Sequence, residues 1–339
     1  MAKPRILFIT GMSKPHPFHK SLAEAVGADT FTSKILGDKK FQKSPANLVK
    51  SVLLLPKNYD IYLSETVFII PSIAKILHLI PKTSKIVNIC ADPILYNLVH
   101  KIPNGLPAPV FRHLLSQVDG FIIIGPWRSL LRNLNIKVPR IVIKGGVEDK
   151  IYEELIRIKR TKFNHNIIFV GNVTQSRIRY KGIDILLKAF EIVKKKYSDS
   201  RLYITGNSHF EAPYEGVIFT GYESKLFDVL KKASLAASLG RGDTYPTGAI
   251  EAMLSGLPTI VSKDVGAREI AGKVDKNFVT NLNPREVADK MIKYFELSNS
   301  KKARLSKEFK EAAKFYKTSM ILEDYKKKWA KFTRDLGKN

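Results

Sequence analysis

The chain is poor in cysteine and in acidic residues. Only Cys90 is a cysteine among 339 residues, which excludes an internal disulfide and a cysteine-rich zinc site. Because Cys90 ends an apolar run, we expect it to be buried in a strand. There are 31 acidic residues against 57 Lys and Arg, a formal net charge of +26. This balance favours an anionic partner. The candidates are nucleic acid, an anionic membrane face and a phosphorylated substrate.

The sequence also lacks a long hydrophobic run and clustered metal ligands. Its most apolar window, residues 67–80, contains Lys75 and His78 and is shorter than the roughly 20 residues that cross a bilayer. The run Arg5–Thr10 is too short for a signal peptide and predicts a first strand. We therefore expect a cytoplasmic protein. The histidines show no zinc spacing and no Asp-x-Asp cluster occurs, so no metal is predicted.

What the chain does contain is short aliphatic runs alternating with helical stretches, in two blocks. The predicted strands are Arg5–Thr10, Val52–Leu55, Asp60–Leu63, Lys85–Cys90, Gly120–Ile124, Arg140–Ile143, Asn166–Gly171, Arg201–Thr205, Val217–Thr220, Leu235–Ser238 and Pro258–Ser262. Runs without polar alternation are typical of strands buried on both faces of a parallel sheet. The sequence therefore predicts two α/β domains of Rossmann-like type in tandem.

The two blocks give approximate domain bounds. We place the N-terminal domain at residues 1–150 and a linker at residues 151–165, where the chain is polar and basic. A second domain follows at residues 166–317. A closing helix at residues 318–339 is expected to pack back toward the N-terminal domain.

A predicted strand-loop-helix corner at residues 238–258 is the most informative stretch. Glycines and a proline turn the chain, a helix is predicted from Thr247 to Ser255, and Gly256 fits its C-terminal cap. Backbone N–H groups at a helix N-terminus form an anion site together with the helix dipole. Asp243 and Glu251 add carboxylates that accept hydrogen bonds from hydroxyl groups. Phosphate binding and hydroxyl binding together favour a sugar nucleotide.

Other strand-to-loop junctions of the second block carry a glycine as well. These glycines are Gly171, Gly206 and Gly221. Because the carboxyl ends of parallel strands meet at one edge, the junctions and the corner are expected to share a ligand. The loop of residues 171–182 is basic, and Arg177, Arg179 and Lys181 precede a helix, where cations and amides bind a diphosphate. The alternative is a solvated basic loop.

The order and spacing of these pieces resemble the second domain of family 4 retaining glycosyltransferases, which have the GT-B fold. The matching pieces are Val170-Gly171, Lys181–Phe190, Gly206, Phe219-Thr-Gly221, Asp243, Glu251–Pro258 and Val265–Ile270. The first half is similar only in outline, through Gly11, Tyr59-Asp60 and Gly146-Val147. The resemblance implies two Rossmann-like domains facing each other across a cleft. It also implies that the first domain binds the acceptor and the second a nucleoside-diphosphate sugar.

The resemblance also implies roles for individual residues. Glu251 matches the acid that contacts the ribose hydroxyls, and Asp243 stands where the family has a glutamate that contacts the donor sugar. Lys181 matches the family's lysine, whereas Asn172 stands where the family has an arginine. The predicted catalytic residues are Asp243, Lys181 and Arg177. The predicted donor-binding residues are Glu251, Gly171, Asn172, Arg179, Gly206, Asn207, Tyr222, Thr244, Tyr245, Pro246, Thr247 and Gly11.

The first domain offers fewer signals. The family's histidine that follows a strand has no match, because Ser64 and Glu65 stand there. The predicted acceptor contacts are His16, His19, Asp92 and Trp127. Ordinary loop or packing residues are the alternative for each of them.

The expected function is therefore sugar transfer from a nucleoside-diphosphate sugar to a glycan, lipid-linked or protein-linked hydroxyl. The resemblance implies a retaining reaction without a protein nucleophile, a cofactor or a metal, in which the leaving phosphate takes the acceptor's proton. A sugar-nucleotide epimerase of the same architecture is one alternative. A nucleic-acid-binding protein is the other, although the lysines are scattered and no nucleic-acid motif occurs.

A lysine-rich segment bears on where the protein acts. Between Lys34 and Lys57, lysines are interleaved with aliphatic residues, a pattern that favours contact with an anionic membrane surface. A peripheral position on the inner membrane face is thus one expectation. Plain solubility is the alternative.

Overall fold

The structure of the protein, a computed structural model, describes residues 3–11, 15–32, 45–65, 67–90, 94–101, 106–125, 133–209, 214–221 and 226–338. The chain divides into two compact units. The first unit is Met1–Lys144 together with Ser319–Asn339, and the second is Gly145–Thr318. Each unit is built on a six-stranded sheet with helices around it, which confirms the predicted α/β class.

The first sheet has the order β2-β1-β3-β4-β5-β6, and neighbouring strands are parallel. Its strands are β1 (Ile6–Thr10), β2 (Asp29–Thr32), β3 (Ile61–Glu65), β4 (Lys85–Cys90), β5 (Gly120–Ile124) and β6 (Arg140–Ile143). Every residue of β1, β3 and β5 is buried, as expected for strands covered on both faces. Cys90 is buried at the end of β4, as predicted.

The second sheet has the order β11-β9-β7-β12-β13-β14, again with parallel neighbours. Its strands are β7 (Ile167–Val170), β9 (Leu202–Thr205), β11 (Val217–Gly221), β12 (Leu235–Ser238), β13 (Thr259–Ser262) and β14 (Val279–Thr280). A separate two-stranded sheet joins β8 (Val173–Thr174) to β10 (Ser208–His209). The strand order reverses between β7 and β12, which places a ligand-binding crevice beyond the carboxyl ends of these two strands.

Helices connect the strands. In chain order they are α1 (Pro17–Ala25), α2 (Pro45–Leu53), α3 (Ile69–Ile76), α4 (Ile94–Val99), α5 (Ala108–Leu115), α6 (Asp149–Ile156), α7 (Ile178–Lys181), α8 (Ile183–Lys196), α9 (Leu226–Leu230), α10 (Thr247–Leu254), α11 (Arg268–Val274), α12 (Pro284–Phe295), α13 (Asn299–Ala313) and α14 (Thr318–Leu336). None of the helices within the described ranges is long and apolar enough to cross a membrane.

One strand prediction in the first unit is wrong. The sequence predicts a strand at residues 52–55, but α2 continues to Leu53 and a turn follows. Val52 and Leu55 are buried while Leu53 and Leu54 are exposed, which is the spacing of a helix that ends against a core. A run of four aliphatic residues does not distinguish a buried strand from a buried helix segment.

The last helix belongs to the first unit, although the chain reaches it only after the whole second unit. Phe332 and Leu336 of α14 are buried against β5. A Cβ atom on Gly120 would lie 2.7 Å from the Phe332 ring and 2.9 Å from Leu336. The missing side chain at Gly120 therefore lets α14 lie directly on the sheet.

Candidate functional site

A cavity of about 440 Å³ lies at the carboxyl edge of the second sheet, next to the point where the strand order reverses. Its lining comes from the ends of β7 and β9 and from helices α6, α9 and α10. The lining residues are Ile151, Glu154, Leu155, Val170, Gly171, Asn172, Thr205, Gly206, Leu226, Phe227, Thr247, Gly248 and Glu251. Five predicted donor-binding residues thus share one cavity, and these are Gly171, Asn172, Gly206, Thr247 and Glu251.

Glu251 is the ionisable group with the most unusual environment in this cavity. It lies on α10, and its carboxylate makes no hydrogen bond or ion pair with any residue that the structure describes. Burial raises the pKa of Glu251 from the ordinary 4.5 to about 7, because a carboxylate removed from water is less stable in its charged form. A half-buried acid without a partner among the described residues is suited to accept hydrogen bonds from ligand hydroxyls.

The N-terminus of α10 is held close to the end of β7. A Cβ atom on Gly248 would lie 2.2 Å from the carbonyl oxygen of Val170, so only glycine permits this approach. Pro246 is the N-cap residue of the helix and makes no side-chain hydrogen bond to its first N–H groups. Since Thr247 and Gly248 line the cavity, these N–H groups and the positive end of the helix dipole lie at its wall.

The loops after β7 and β9 are tied together on another side of the cavity. The backbone N–H of Asn207 donates to Oδ1 of Asn172 at 2.8 Å, and the N–H of Val173 donates to the carbonyl of Asn207 at 3.0 Å. Gly206 has φ of +110°, which allows the chain to turn beside Gly171. The side-chain amide of Asn172 therefore fixes the loop, at the position where the family that the sequence resembles has an arginine.

Lys181 and Asp243 form an ion pair, although they lie 62 residues apart in sequence. The Nζ atom of Lys181 donates to Oδ2 of Asp243 at 2.8 Å, and Asp243 is 7% exposed. The segment carrying Lys181 is helical rather than an open loop, with a 3-10 turn at Gln175–Arg177 followed by α7. The predicted loop is therefore wrong in its local structure, because short turns of helix leave no clear periodicity in sequence.

Arg241 is a residue of this region that sequence reasoning missed. Its guanidinium donates to both carboxylate oxygens of Asp184 at 3.0 Å, and its backbone N–H donates to the Tyr180 carbonyl at 2.8 Å. A bidentate pair of this kind fixes geometry strongly. It holds the corner before α10 against the segment that carries Lys181. The sequence gives no signal for the pair, since its members are 57 residues apart.

Other predicted site residues lie elsewhere in the second unit. Arg177 and Arg179 are exposed, and like Lys181 and Asp243 they are not among the residues lining the cavity. Tyr245 is buried, its hydroxyl donates to Oε2 of Glu269 at 2.9 Å, and burial raises its pKa. Thr244 and Pro246 are buried as well. The phenol of Tyr245 is thus already hydrogen-bonded inside the protein, and its contact with the donor stays a prediction.

The apolar wall of the cavity was not anticipated. Ile151 and Leu155 come from α6, which begins before the predicted linker and occupies its first residues. Leu226 and Phe227 come from α9. The spacing of Ile151 and Leu155, one turn apart on a helix, was the available signal.

In the first unit, Gly11 and the histidines lie near the ends of β1 and β3. A Cβ atom on Gly11 would lie 2.6 Å from Cγ1 of Val67, so close packing accounts for this glycine. His19 is buried on α1, and its Nδ1 lies 2.5 Å from Oε1 of Glu65. The His16 and His19 rings are 4.7 Å apart. Glu65, noted in the sequence only because it replaces a histidine, is thus the partner of a histidine from another element.

Several predicted residues lie outside the described residues. They are Tyr222, Asp92, Trp127 and the lysines Lys34, Lys39, Lys40 and Lys43. Within the ranges that the structure does describe, no group of three or more His, Cys, Asp or Glu side chains is arranged to hold a metal ion.

Comparison with known proteins agrees with this geometry. Residues 164–296 match the family described as Glycosyl transferases group 1. The matched residues lie within the second unit, which is thus similar to glycosyl transferases group 1. Its matched residues include the loops, the corner and helix α10 that form the cavity. No curated protein sequence matches the chain.

Solved structures extend the similarity to the whole glycosyltransferase fold. HepE of Anabaena, in complex with UDP and glucose, is 15% identical with a TM-score of 0.67, and the match covers 97% of this chain and 100% of that one. A sucrose-phosphate synthase from Thermosynechococcus elongatus is 14% identical with a TM-score of 0.71, over 98% and 99% of the two chains. A UDP-forming α,α-trehalose-phosphate synthase from Burkholderia xenovorans is 10% identical with a TM-score of 0.68, over 98% and 99%. The chain therefore has the GT-B fold, as the sequence predicted.

Proposed function

We propose that the protein is a glycosyltransferase that moves a sugar from a nucleoside-diphosphate sugar to an acceptor hydroxyl. The observation that carries the proposal is the carboxylate of Glu251. It lies in the cavity of a unit similar to glycosyl transferases group 1, with a raised pKa and no partner among the described residues. Ribose hydroxyls of a nucleotide would satisfy this carboxylate.

The cavity offers complementary surfaces for the parts of such a nucleotide. Ile151, Leu155 and Phe227 provide an apolar wall for the base. The carboxylate of Glu251 accepts hydrogen bonds from the ribose hydroxyls. The first N–H groups of α10, at Thr247 and Gly248, bind the diphosphate with the help of the helix dipole.

The reaction assigned to this site needs a cation near the leaving group. The bond between the anomeric carbon and the diphosphate oxygen breaks, the acceptor oxygen bonds to that carbon, and the leaving phosphate takes the acceptor's proton. Lys181, oriented by Asp243 at 2.8 Å, stabilises the charge that develops on the diphosphate, a contribution of roughly 3 kcal/mol. Asp243 also hydrogen-bonds the donor sugar. The proposed transfer is retaining and independent of metal, and Arg177 and Arg179 are proposed as further diphosphate contacts.

A uridine nucleotide is the proposed donor class. HepE of similar fold was solved with UDP and glucose, and the trehalose-phosphate synthase is described as UDP-forming. The acceptor is proposed to be a glycan or a lipid-linked hydroxyl. No cofactor takes part in the proposed reaction.

A thermal-shift screen with UDP, GDP, ADP and UDP-glucose tests the donor site. We expect uridine nucleotides to raise the melting temperature of the wild type and to have no effect on Glu251→Ala. Glu191→Ala, an exposed acid on α8, is the matched control and should keep the response. If no nucleotide stabilises the wild type, or if Glu251→Ala responds equally, the donor-site proposal is wrong. The protein is then incubated with UDP-glucose, and the sugar product is identified. This product distinguishes transfer of the sugar to an acceptor from isomerisation of the sugar nucleotide.

We also propose that the first unit binds an anionic membrane surface. Exposed apolar side chains collect on the neighbouring helices α2 and α3 and on the turns after them. They are Val49, Leu53, Leu54, Ile76 and Leu77, here called the aliphatic patch. Exposed lysines accompany it at Lys50, Lys57 and Lys82. Residues 39–59 and 66–91 contain no acidic residue, so anionic lipid meets no repulsion from these segments.

Vesicle sedimentation tests the aliphatic patch. The full chain is expected to sediment with vesicles of phosphatidylcholine mixed with phosphatidylglycerol, and much less with phosphatidylcholine alone. Replacing Leu53, Leu54 and Leu77 by serine together should weaken this binding roughly tenfold or more, since each leucine loses part of its transfer energy. Val110→Ser and Met320→Ser, which alter exposed apolar residues elsewhere, are the controls. Equal binding by the triple variant and the wild type contradicts the proposal.

A further inference from the structure

A second polar site lies in the first unit, at the carboxyl edge of its sheet. In the order β2-β1-β3, the chain leaves β1 toward one side of the sheet and β3 toward the other. Doubly wound sheets bind ligands beyond the carboxyl ends of two strands that diverge in this way. Thr10 and Glu65, the last residues of these strands, are register partners. The donor chemistry described above uses neither of them.

Glu65 is a buried carboxylate, and only one of its two oxygens has a hydrogen-bond partner among the described residues. It is 1% exposed, and its Oε1 lies 2.5 Å from Nδ1 of His19. Its Oε2 is buried and has no hydrogen-bond partner among the described residues. Removing a carboxylate oxygen from water without a partner is costly, and native proteins rarely leave one in this state. The free oxygen therefore indicates that a donor group from a ligand belongs here.

His19 supplies the second acceptor atom of this site. It lies in the first turn of α1 and is 7% exposed. In the tautomer whose Nδ1–H donates to Glu65, Nε2 is the acceptor nitrogen of the ring. Oε2 of Glu65 and Nε2 of His19 both accept hydrogen bonds, and the His16 ring covers His19 at 4.7 Å between ring centres. Two acceptors beside a ring suit neighbouring hydroxyl groups of a sugar.

We propose that the His19–Glu65 pair binds hydroxyl groups of a sugar acceptor, with His19 accepting through Nε2 and Glu65 through Oε2 while it orients the imidazole ring. This inference rests on the proposed glycosyltransferase function, because it assigns the hydroxyl that receives the sugar. It differs from the donor-site proposal in that all of its residues belong to the first unit.

The experiment uses octyl β-D-glucopyranoside as the probe, which combines a sugar ring with an alkyl chain. Saturation-transfer NMR on the full chain with UDP present should show transfer to the glucose ring protons. His19→Ala should weaken the probe's affinity at least tenfold. Glu65→Gln is the sharper variant, since its amide oxygen still accepts from Nδ1–H while its NH₂ group replaces the acceptor Oε2. We expect it to melt like the wild type and to lose about tenfold in affinity for the probe, as for a hydrogen bond to a charged group.

His113→Ala, an exposed histidine of the same unit on α5, is the matched control and should bind the probe normally. The inference is overturned if the wild type gives no transfer to the ring protons, or if Glu65→Gln and His19→Ala bind the probe as the wild type does. The UDP-induced rise in melting temperature is measured on the same samples. A rise that persists in both variants shows that the donor site is intact, so a failure of this inference remains distinguishable from a failure of the proposed function.

Discussion

At the scale of single residues, Glu251 combines a proposed role in binding with a cost in stability. Its pKa in the folded protein, about 7, lies above the ordinary 4.5, so the folded state holds this proton more tightly than the unfolded chain. Stability is therefore lost as the pH rises from about 4.5 to 7, and the loss is complete above that range. The difference corresponds to roughly 3 kcal/mol. An acid retained at such a cost is expected to serve a ligand.

We predict that Glu251→Gln makes the protein more stable than the wild type at about pH 8 and equally stable near pH 4.5, by roughly 3 kcal/mol at the upper limit. Urea unfolding at both pH values measures the change. The same variant should be stabilised less by UDP than the wild type, because an uncharged amide binds ribose hydroxyls less strongly. UDP affinity of the wild type should rise between about pH 6 and pH 8 beyond the rise seen in the variant. An unchanged stability at pH 8 contradicts the assigned pKa.

Lys181 illustrates the difference between holding structure and supporting chemistry. We predict that Lys181→Met lowers the rate of sugar transfer roughly 10²–10³-fold and also destabilises the protein by about 3 kcal/mol, since buried Asp243 then keeps an unpaired charge. Steady-state rates and urea unfolding measure the two effects.

The double variant Lys181→Met with Asp243→Asn separates the two effects. It should regain most of the stability and none of the activity. Recovery of transfer in the double variant would mean that Lys181 acts only as a structural partner.

At the scale of elements, the site depends on two close approaches of backbone. Gly182 caps α7 with φ of +71°, and a Cβ atom there would lie 1.8 Å from the Leu239 carbonyl oxygen. This contact joins the segment carrying Lys181 to the strand end that leads into the corner. Gly248 makes the equivalent approach between α10 and β7 at 2.2 Å. The spacing of glycines marks turns in sequence, but only the fold reveals which of them face a neighbouring backbone.

Gly182→Ala and Gly221→Ala form a matched pair of substitutions. Gly221 has nearly the same backbone angle, φ of +70°, but a Cβ atom there would have none of the described atoms within 4 Å. We expect Gly221→Ala to cost about 1 kcal/mol, for the left-handed conformation alone. Gly182→Ala should cost at least about 3 kcal/mol, because the Leu239 carbonyl must move as well. Urea unfolding of the full chain measures the loss of stability in each variant. Equal losses would show that the crowding at Gly182 is relieved at no cost in free energy.

At the scale of the whole molecule, the last helix of the chain belongs to the first unit, although the second unit lies between them in sequence. Phe332 of α14 is 3% exposed and packs over Gly120. We predict that Phe332→Ala destabilises the first unit by about 3–5 kcal/mol, whereas the rise in melting temperature caused by UDP binding to the second unit is kept. Differential scanning calorimetry with and without UDP measures both. Met320→Ala, an exposed residue of the same helix, should change stability by less than about 0.5 kcal/mol, and an equal effect of both variants contradicts this packing.

The amino-acid sequence alone determined the class of fold and predicted one side of the proposed donor site. Near-continuous aliphatic runs separated by helical stretches predicted two parallel sheets. The corner with its glycines predicted a helix N-terminus beside Glu251. These features are local, because strand burial, helix caps and turns depend on residues close together in the chain.

Only the tertiary structure decided which distant residues meet. The strand order brings Lys181 to Asp243, Arg241 to Asp184 and His19 to Glu65, across 62, 57 and 46 residues of sequence. The tertiary structure also shows that the first residues of the expected linker belong to α6, which provides an apolar wall of the cavity. No local pattern encodes such pairs, since they depend on the order in which parallel strands join a sheet. That order is fixed by burial of the whole sheet rather than by any single segment.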